Sequence, residues 1–280
     1  MNFKRIQWIF ILAFLLFDIL IGSSLILETR FTVSNGQPNR QSTVLKEMHN
    51  DSISYGELSN KQQTGYYIAG KRSTDGGTLE QESGRLRNQN FHFSSGTLTS
   101  DFDKPIRLSK ENSLRRVNRL LKNKKMVALG ANYRYDKELS DKNTLVYTQM
   151  LEGKPLISND GQIRFRVNSD REVTGYTQTY LQDVEILRQR SNTISQQRAV
   201  TWLYKHNQIP NNSRIRWARL SYAKLLNTTT DDKAVYVPTW VVEIKTKNSG
   251  AIQQLEVNAF NSTVMKETPD SINTNSLNNK

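Results

Sequence analysis

Hydrophobic positions along this chain follow three patterns. The first is an unbroken run. From Ile6 to Leu27 the sequence IQWIFILAFLLFDILIGSSLIL holds one ionisable residue, Asp18. At about 1.5 Å per helical residue the run reaches roughly 33 Å, enough for a hydrocarbon core of about 30 Å. It predicts a transmembrane helix over 6–27. Lys4 and Arg5 precede it, so residues 1–5 are predicted to be a cytoplasmic tail and the rest of the chain extracytoplasmic. A cleaved signal peptide is the competing reading, since Gly22, Ser23 and Ser24 are small enough for a cleavage site. The length of the run favours the uncleaved anchor.

The second pattern is helical spacing. Leu114, Val117, Leu120 and Leu121 form one stripe and predict a helix over 110–121 with Ser109 as cap. Ala199, Val200, Leu203 and Tyr204 form another and predict a helix over 196–206, capped by Ser195 and closed by Pro210. A short helix from Ser42 to about Met48 is also predicted.

The third pattern is alternation. Strands are predicted over 65–69, 143–151, 163–167, 173–181, 215–226, 234–246 and 252–260, with short ones at 91–93 and 97–99 around Ser95-Gly96. Tyr176, Gln178 and Tyr180 alternate with Gly175, Thr177 and Thr179, so Tyr176 and Tyr180 share a face. Pro238 inside a strand implies an edge or a bulge. Residues 70–90, rich in Gly, Ser, Thr, Gln and charge, read as a long mobile loop or hairpin.

These elements predict an α+β fold. The transmembrane helix is followed by a juxtamembrane linker over 28–41. Two helix-plus-antiparallel-sheet units follow, over 42–150 and 151–268, and a disordered tail over 269–280.

Composition narrows the function. Cysteine is absent, which excludes disulfides and thiolate chemistry. Beyond residue 27 the chain carries 37 Lys and Arg against 25 Asp and Glu. A basic exterior favours loose attraction to anionic lipid or wall polymer. The outward topology and the dispersed charge argue against nucleic acid, and a solvated surface accounts for most of the charge.

The residue types that carry chemistry do not cluster. His49, His92 and His206 are far apart, and none belongs to a paired metal-ligand motif. His206 fits a structural place at a helix C-terminus. Nucleophile elbows and phosphate loops are missing from the sequence. Pairs such as Asp101/Asp103 and Asp231/Asp232 read as solvated turn residues. No catalytic residue, cofactor or metal is assigned. Aromatic residues crowd the second unit: Tyr176, Tyr180, Trp202, Trp217, Tyr222, Tyr236 and Trp240. Most fill the sheet–helix interface, leaving one or two for a protein-binding patch.

Asp18 is the exception inside the apolar run. A charge near the bilayer centre costs about 2.5–3.5 kcal/mol on insertion scales and usually faces a partner or water. Gly22, one helical turn on, lets a second helix approach, and Phe14 lies one turn back on the same face. Asp18, Gly22 and Phe14 therefore form a candidate partner-binding face. Protonation of Asp18 within the bilayer is the alternative.

Several of these segments together resemble the YycI family of membrane-anchored regulators. The resemblance covers the anchor with Asp18, Gly153-Lys154-Pro155, and Gly175-Tyr176-Thr177-Gln178-Thr179-Tyr180-Leu181. It continues through Ile194-Ser195 into Ala199 and Leu203-Tyr204, then Leu220-Ser221-Tyr222, Val237-Pro238-Thr239-Trp240 and Val257-Asn258-Ala259-Phe260. Ser221 replaces a family Gly. Asn261-Ser262-Thr263 lacks the Gly of the usual turn, for which Asn261 is the expected left-handed substitute.

The resemblance implies a fold like the last domains of YycH. It also implies a non-catalytic role in which the chain, with a YycH-like protein, modulates the YycG (WalK) sensor histidine kinase that controls cell-wall metabolism in Gram-positive bacteria. Tyr176, Gln178, Tyr180, Tyr222, Pro238, Trp240, Asn258 and Phe260 are the family-motif positions expected to be structural. An extracytoplasmic module binding anionic wall polymer or another ligand is the alternative function, and a surface hydrolase the third.

Overall fold

A computed structural model describes Trp8, Leu12, Phe14, Leu15 and Asp18, then residues 38–109, 113–228 and 232–265. The five N-terminal positions are helical; the remainder of 6–27, and the tail over 269–280, lie outside the described residues. Among the described residues no helix is long and apolar enough to cross a membrane. The chain forms two compact units, Met1–Lys46 and Glu47–Lys280.

The helix predicted from Ser42, α1 (Pro38–Asn50), starts earlier, at Pro38. Proline suits a first helical turn, where its missing N–H has no partner to lose and its φ is already set. Then come β1 (Thr64–Gly65), β2 (Ile68–Arg72), α2 (Thr78–Ser83), β3 (Gln89–Ser94) and β4 (Thr97–Arg107). Next are α3 (Ser113–Lys122), β5 (Tyr133–Asp136), β6 (Thr144–Leu151), β7 (Lys154–Pro155), β8 (Gln162–Val167) and β9 (Glu172–Gln178). The last group is β10 (Leu181–Ile186), β11 (Ser191–Asn192), α4 (Gln196–Lys205), β12 (Ser213–Asn227), β13 (Lys233–Thr246) and β14 (Ile252–Asn258).

The fold is α+β, and all paired strands run antiparallel. One sheet has the order β3-β4-β9-β8-β6-β5, with β7 paired to β6; the other has the order β10-β2-β13-β12, with β14 on β13; β1 and β11 pair by themselves. Each of the two large sheets takes strands from both sides of residue 150. Strand grouping therefore cuts across the division at 150/151 suggested by element order.

One core lies on the seven-stranded sheet. Leu98, Phe102, Tyr147, Ile163, Phe165, Val173 and Tyr176 pack with Leu79, Val117 and Leu121 from its helices. A smaller one joins Ile68, Leu151, Leu156, Leu181, Tyr222, Ala234 and Tyr236.

Four local readings change. The stretch over 70–90 is not a loop throughout: α2 forms there and buries Leu79, whose backbone N–H is held by Ser73 Oγ at 3.0 Å. The predicted strand over 173–181 is two strands, because the chain passes at Thr179-Tyr180 from one sheet to the other. Pro238 lies in a central strand, yet its edge is local. On one side of β13, β2 pairs with Lys233–Tyr236 and β14 with Thr239–Lys245, and Pro238 falls in the gap between them, against Gly65. In the closing turn the left-handed residue is Ser262, at φ 63°, and not Asn261. Asn261 instead accepts hydrogen bonds from the Thr263 backbone N–H at 3.1 Å and hydroxyl at 2.7 Å.

Candidate functional site

The two sheets meet where β9 hands over to β10 and where β7 reaches β12. The Gly153 turn, at φ 75°, folds the chain back into β7. Leu156 then bridges to Tyr222, and the Ile157 N–H donates to the Tyr222 carbonyl at 2.8 Å. Gln149 ties the other crossing: its Nε2 donates to the Leu181 carbonyl at 2.8 Å and its Oε1 accepts from the Leu181 N–H at 2.9 Å. Arg219 of β12 grips Asp136 of β5 with both Nη atoms, at 3.0 and 2.7 Å.

Asp160 is buried at this junction with 2 % exposure. A buried carboxylate is costly unless its oxygens are paired. Here Lys224 Nζ lies 2.7 Å away, the Tyr236 hydroxyl donates at 2.7 Å and the Ser158 hydroxyl at 2.9 Å. Arg72 Nη1 stands 3.8 Å from the other oxygen. Burial alone would raise the Asp160 carboxyl. The bonds from Lys224, Tyr236 and Ser158 outweigh it and hold the group below its usual range. With its oxygens so engaged, Asp160 is an anchor for the junction rather than a general base. Sequence reasoning saw only an Asn-Asp-Gly turn here. The available signal was Lys224 and Tyr236, two polar groups aligned with core positions on neighbouring strands.

Beside Asp160, a pocket of ≈ 190 Å³ is lined by Arg72, Thr97, Asn159, Gln162, Arg164 and residues 177–179. A wider groove of ≈ 570 Å³ runs past Lys61, Lys154, Gln196, Arg219 and Trp240. Burial, and next the nearby Arg190, lower the pKa of Lys154.

The family-motif residues fall into two groups. Tyr176 and Gln178 belong to the seven-stranded sheet. Tyr176 is fully buried, and its hydroxyl donates to the Met126 carbonyl at 3.1 Å. Gln178 Nε2 donates to the Ala128 carbonyl at 2.7 Å. Tyr180, in the crossover, packs on Tyr133 and accepts from Asn132 Nδ2 at 3.2 Å.

The others gather on the five-stranded sheet. The Tyr222 hydroxyl accepts from the Tyr66 N–H at 3.2 Å and lies opposite Pro238. Trp240 Nε1 donates to the Ile194 carbonyl at 2.9 Å. Asn258 Oδ1 accepts from the Phe260 N–H at 2.9 Å, and Phe260 stacks on Tyr67 with centroids 4.8 Å apart. All eight make a hydrogen bond or ring contact inside the fold: Pro238, in the strand gap, accepts at its carbonyl from the Ala259 N–H at 2.8 Å.

In the apolar run over 6–27, Phe14 and Asp18 are helical and exposed, and Gly22 lies outside the described residues. His206 caps the C-terminal end of α4, stacked on Trp202 at 3.7 Å with Nδ1 2.8 Å from the Trp202 carbonyl. Among the described residues no group of three or more His, Cys, Asp or Glu is placed to hold a metal.

Known proteins place this fold. An uncharacterized protein from Eubacterium rectale ATCC 33656 superposes with a TM-score of 0.52 at 9 % identity, covering 83 % of this chain and all of that one. The Bacillus megaterium YpeB C-terminal domain matches at a TM-score of 0.38 and 13 % identity, over 82 % of this chain and 96 % of that one. No curated protein matches the sequence. The model of the YycI protein family matches residues 32–260, most of the described fold. The chain belongs to the YycI family.

Proposed function

We propose that this chain is a non-catalytic, membrane-anchored regulator of a YycG-type (WalK) sensor histidine kinase, in a two-component system that controls cell-wall metabolism, and that it works beside a YycH-like protein. The observation that carries the reading is the family match over residues 32–260. The apolar run over 6–27 supports the anchor, with the N-terminus cytoplasmic and the folded domain outside. Asp18, Gly22 and Phe14 supply one helical face for a partner helix. A regulator of this kind needs to favour one kinase state by only about 1–3 kcal/mol, the usual size of a coupling free energy. A single helix–helix contact is large enough.

The test is in-membrane crosslinking from positions along Phe14–Ile26, with the captured protein identified. Capture of the kinase or of a YycH-like protein from the Asp18 face is expected. Asp18→Leu should weaken capture while membrane insertion is retained. An unrelated anchor that regulates as well as the native one would rule out the helix contact.

A further inference from the structure

The basic residues are less evenly spread than the sequence suggests. From Asn112 to Tyr135 no acidic residue occurs, although 25 Asp and Glu lie beyond residue 27. The same stretch holds Arg115, Arg116, Arg119, Lys122, Lys124 and Lys125. In α3, Val117 and Leu121 are buried against the seven-stranded sheet. Arg115, Arg119 and Lys122 are three and four residues apart, so they run in a row along the opposite side, with Arg116 beside them. Lys124 and Lys125 follow in the turn after the helix. Arg87 joins them from another segment, its N–H donating to the Lys125 carbonyl at 2.9 Å. All seven side chains are exposed.

Among the described residues none of the seven is in an ion pair. Two acids approach the stretch, Asp103 beside Asn88 and Asp141 beside Ser113. Neither forms an ion pair, and Asp141 Oδ1 is taken by the Asn143 and Thr144 N–H groups at 2.8 Å. Glu111, one residue before the stretch, lies outside the described residues. Like charges three and four residues apart destabilise a helix. The row is therefore a cost to α3 that an external anion removes.

We propose that this cationic ridge binds a linear polymer of phosphodiester charges on the outer side of the membrane. An extended polyanion meets a row of cations one after another, and each contact releases a counterion. Arg115, Arg116 and Arg119 suit phosphate because the guanidinium N–H fork matches adjacent oxygens. Nucleic acid has a similar backbone, but residues 112–125 include no aromatic ring on which a base could stack. A bilayer surface fits less well. The apolar side of α3 is buried in the fold, and only Leu114 is exposed for insertion. The choice of a wall-side polymer over nucleic acid rests on the outward topology proposed above; the binding itself does not.

The experiment is fluorescence anisotropy of labelled poly(glycerol phosphate), titrated with the full-length protein in phosphatidylcholine nanodiscs over a series of sodium chloride concentrations. Saturable binding that weakens with salt is expected. Arg115→Gln/Arg119→Gln/Lys122→Gln should weaken it about tenfold or more. It should also lower the slope of log K against log salt by about 2, at roughly 0.7 per phosphate contact as in single-stranded nucleic acids. The melting temperature should not fall, because the three side chains are exposed and glutamine is a good helix former. Arg198→Gln/Lys205→Gln/Lys245→Gln is the control. It removes the same charge from exposed positions on α4 and β13 and should leave the slope as it was. Equal losses in the two triple variants would make the attraction one of net charge and overturn the proposal. So would absence of binding, or stronger competition per phosphate by oligothymidylate or phosphatidylglycerol vesicles than by unlabelled polymer. The titration is blind to topology and to the kinase, so its failure leaves the regulatory reading standing, and failure of that reading leaves the binding result standing.

Discussion

The two sheets bury the same residue type in opposite ways. In the seven-stranded sheet, Phe102, Tyr147, Phe165 and Tyr176 form a chain of ring contacts with centroids 5.5–5.8 Å apart. The hydroxyls there end on neutral acceptors. Tyr176 donates to the Met126 carbonyl at 3.1 Å, Tyr147 to Asn118 Oδ1 at 3.0 Å, and Tyr133 to the Thr179 carbonyl. In the five-stranded sheet, Tyr236 of the central strand β13 instead donates to Asp160, which also needs Lys224. A buried phenol needs one acceptor, which any nearby loop supplies. A buried carboxylate needs a cation as well, and so commits residues on three separate segments to one place. The aromatic core is therefore tolerant, and the charged junction is specific and brittle.

Removing the charge should separate the two regions most sharply. Asp160→Ala removes the counter-charge 2.7 Å from Lys224 and the acceptor of the Tyr236 hydroxyl. Loss of one member of a buried pair costs about 3–5 kcal/mol. Urea unfolding would measure it, with Asp160→Ala/Lys224→Met recovering much of the loss. If the single variant loses less than about 1 kcal/mol, the junction is not held by charge.

Acid and base should next act on different sheets. Asp160 titrates below its ordinary value in the folded state. Its contribution is complete above the unfolded aspartate value of about 3.9 and is lost as pH falls through the lower folded value. Burial pushes the phenols of Tyr133, Tyr147 and Tyr176 up. Their contribution is complete below the unfolded tyrosine value of about 10 and is lost as pH rises toward the higher folded values. Asp160→Asn should flatten the acid limb of a stability–pH curve and leave the alkaline limb in place. An unchanged acid limb would move the acid sensitivity elsewhere.

The sequence made one of these regions easier to see than the other. The α4 stripe is where spacing put it: Ala199, Val200 and Leu203 are buried, and Ser195 Oγ accepts from the Arg198 N–H at 3.2 Å. In α3 the same reading was partly right, since Val117 and Leu121 are buried but Leu114 is 37 % exposed. Alternation correctly turned Tyr176 inward. It could not show that the chain changes sheet after Gln178, because a period of two reports the face and not the partner strand. Leu79 was hidden by its polar surroundings, one of only two leucines, with Leu86, in a Gly- and Ser-rich stretch. The junction was not legible at all. Asp160, Lys224 and Tyr236 come from a turn and two strands whose pairing is a property of the whole fold.

A smaller effect is expected from the neutral side of the comparison. Tyr176→Phe keeps the ring contacts with Phe102 and Phe165 and removes one of the two hydrogen bonds on the Met126 carbonyl, which keeps the Gln89 Nε2 donor at 3.2 Å. The cost should be about 1 kcal/mol, the net value of a typical hydrogen bond. A loss several times larger, seen in the same unfolding assay, would show that the aromatic core depends on its polar contacts as heavily as the junction does.

The smallest effect should have the opposite sign. Ser221 stands in the five-stranded sheet opposite Thr239, fully buried, and its hydroxyl is without a partner among the described residues. The Thr239 hydroxyl does not reach it, being turned to the Val237 carbonyl at 3.0 Å. A hydroxyl buried this way loses its water and gains nothing. Ser221→Ala removes that penalty, keeps the Cβ and so the backbone preferences of a strand, and vacates the space of one oxygen. The gain should exceed the small void it creates, for a net stabilisation of about 0.5–1 kcal/mol. Thermal unfolding of the variant beside Asp160→Ala would then show two polar removals from one sheet with opposite signs. Destabilisation by Ser221→Ala would mean that the hydroxyl has an acceptor in solution, and that this sheet satisfies its neutral groups as fully as its charged ones.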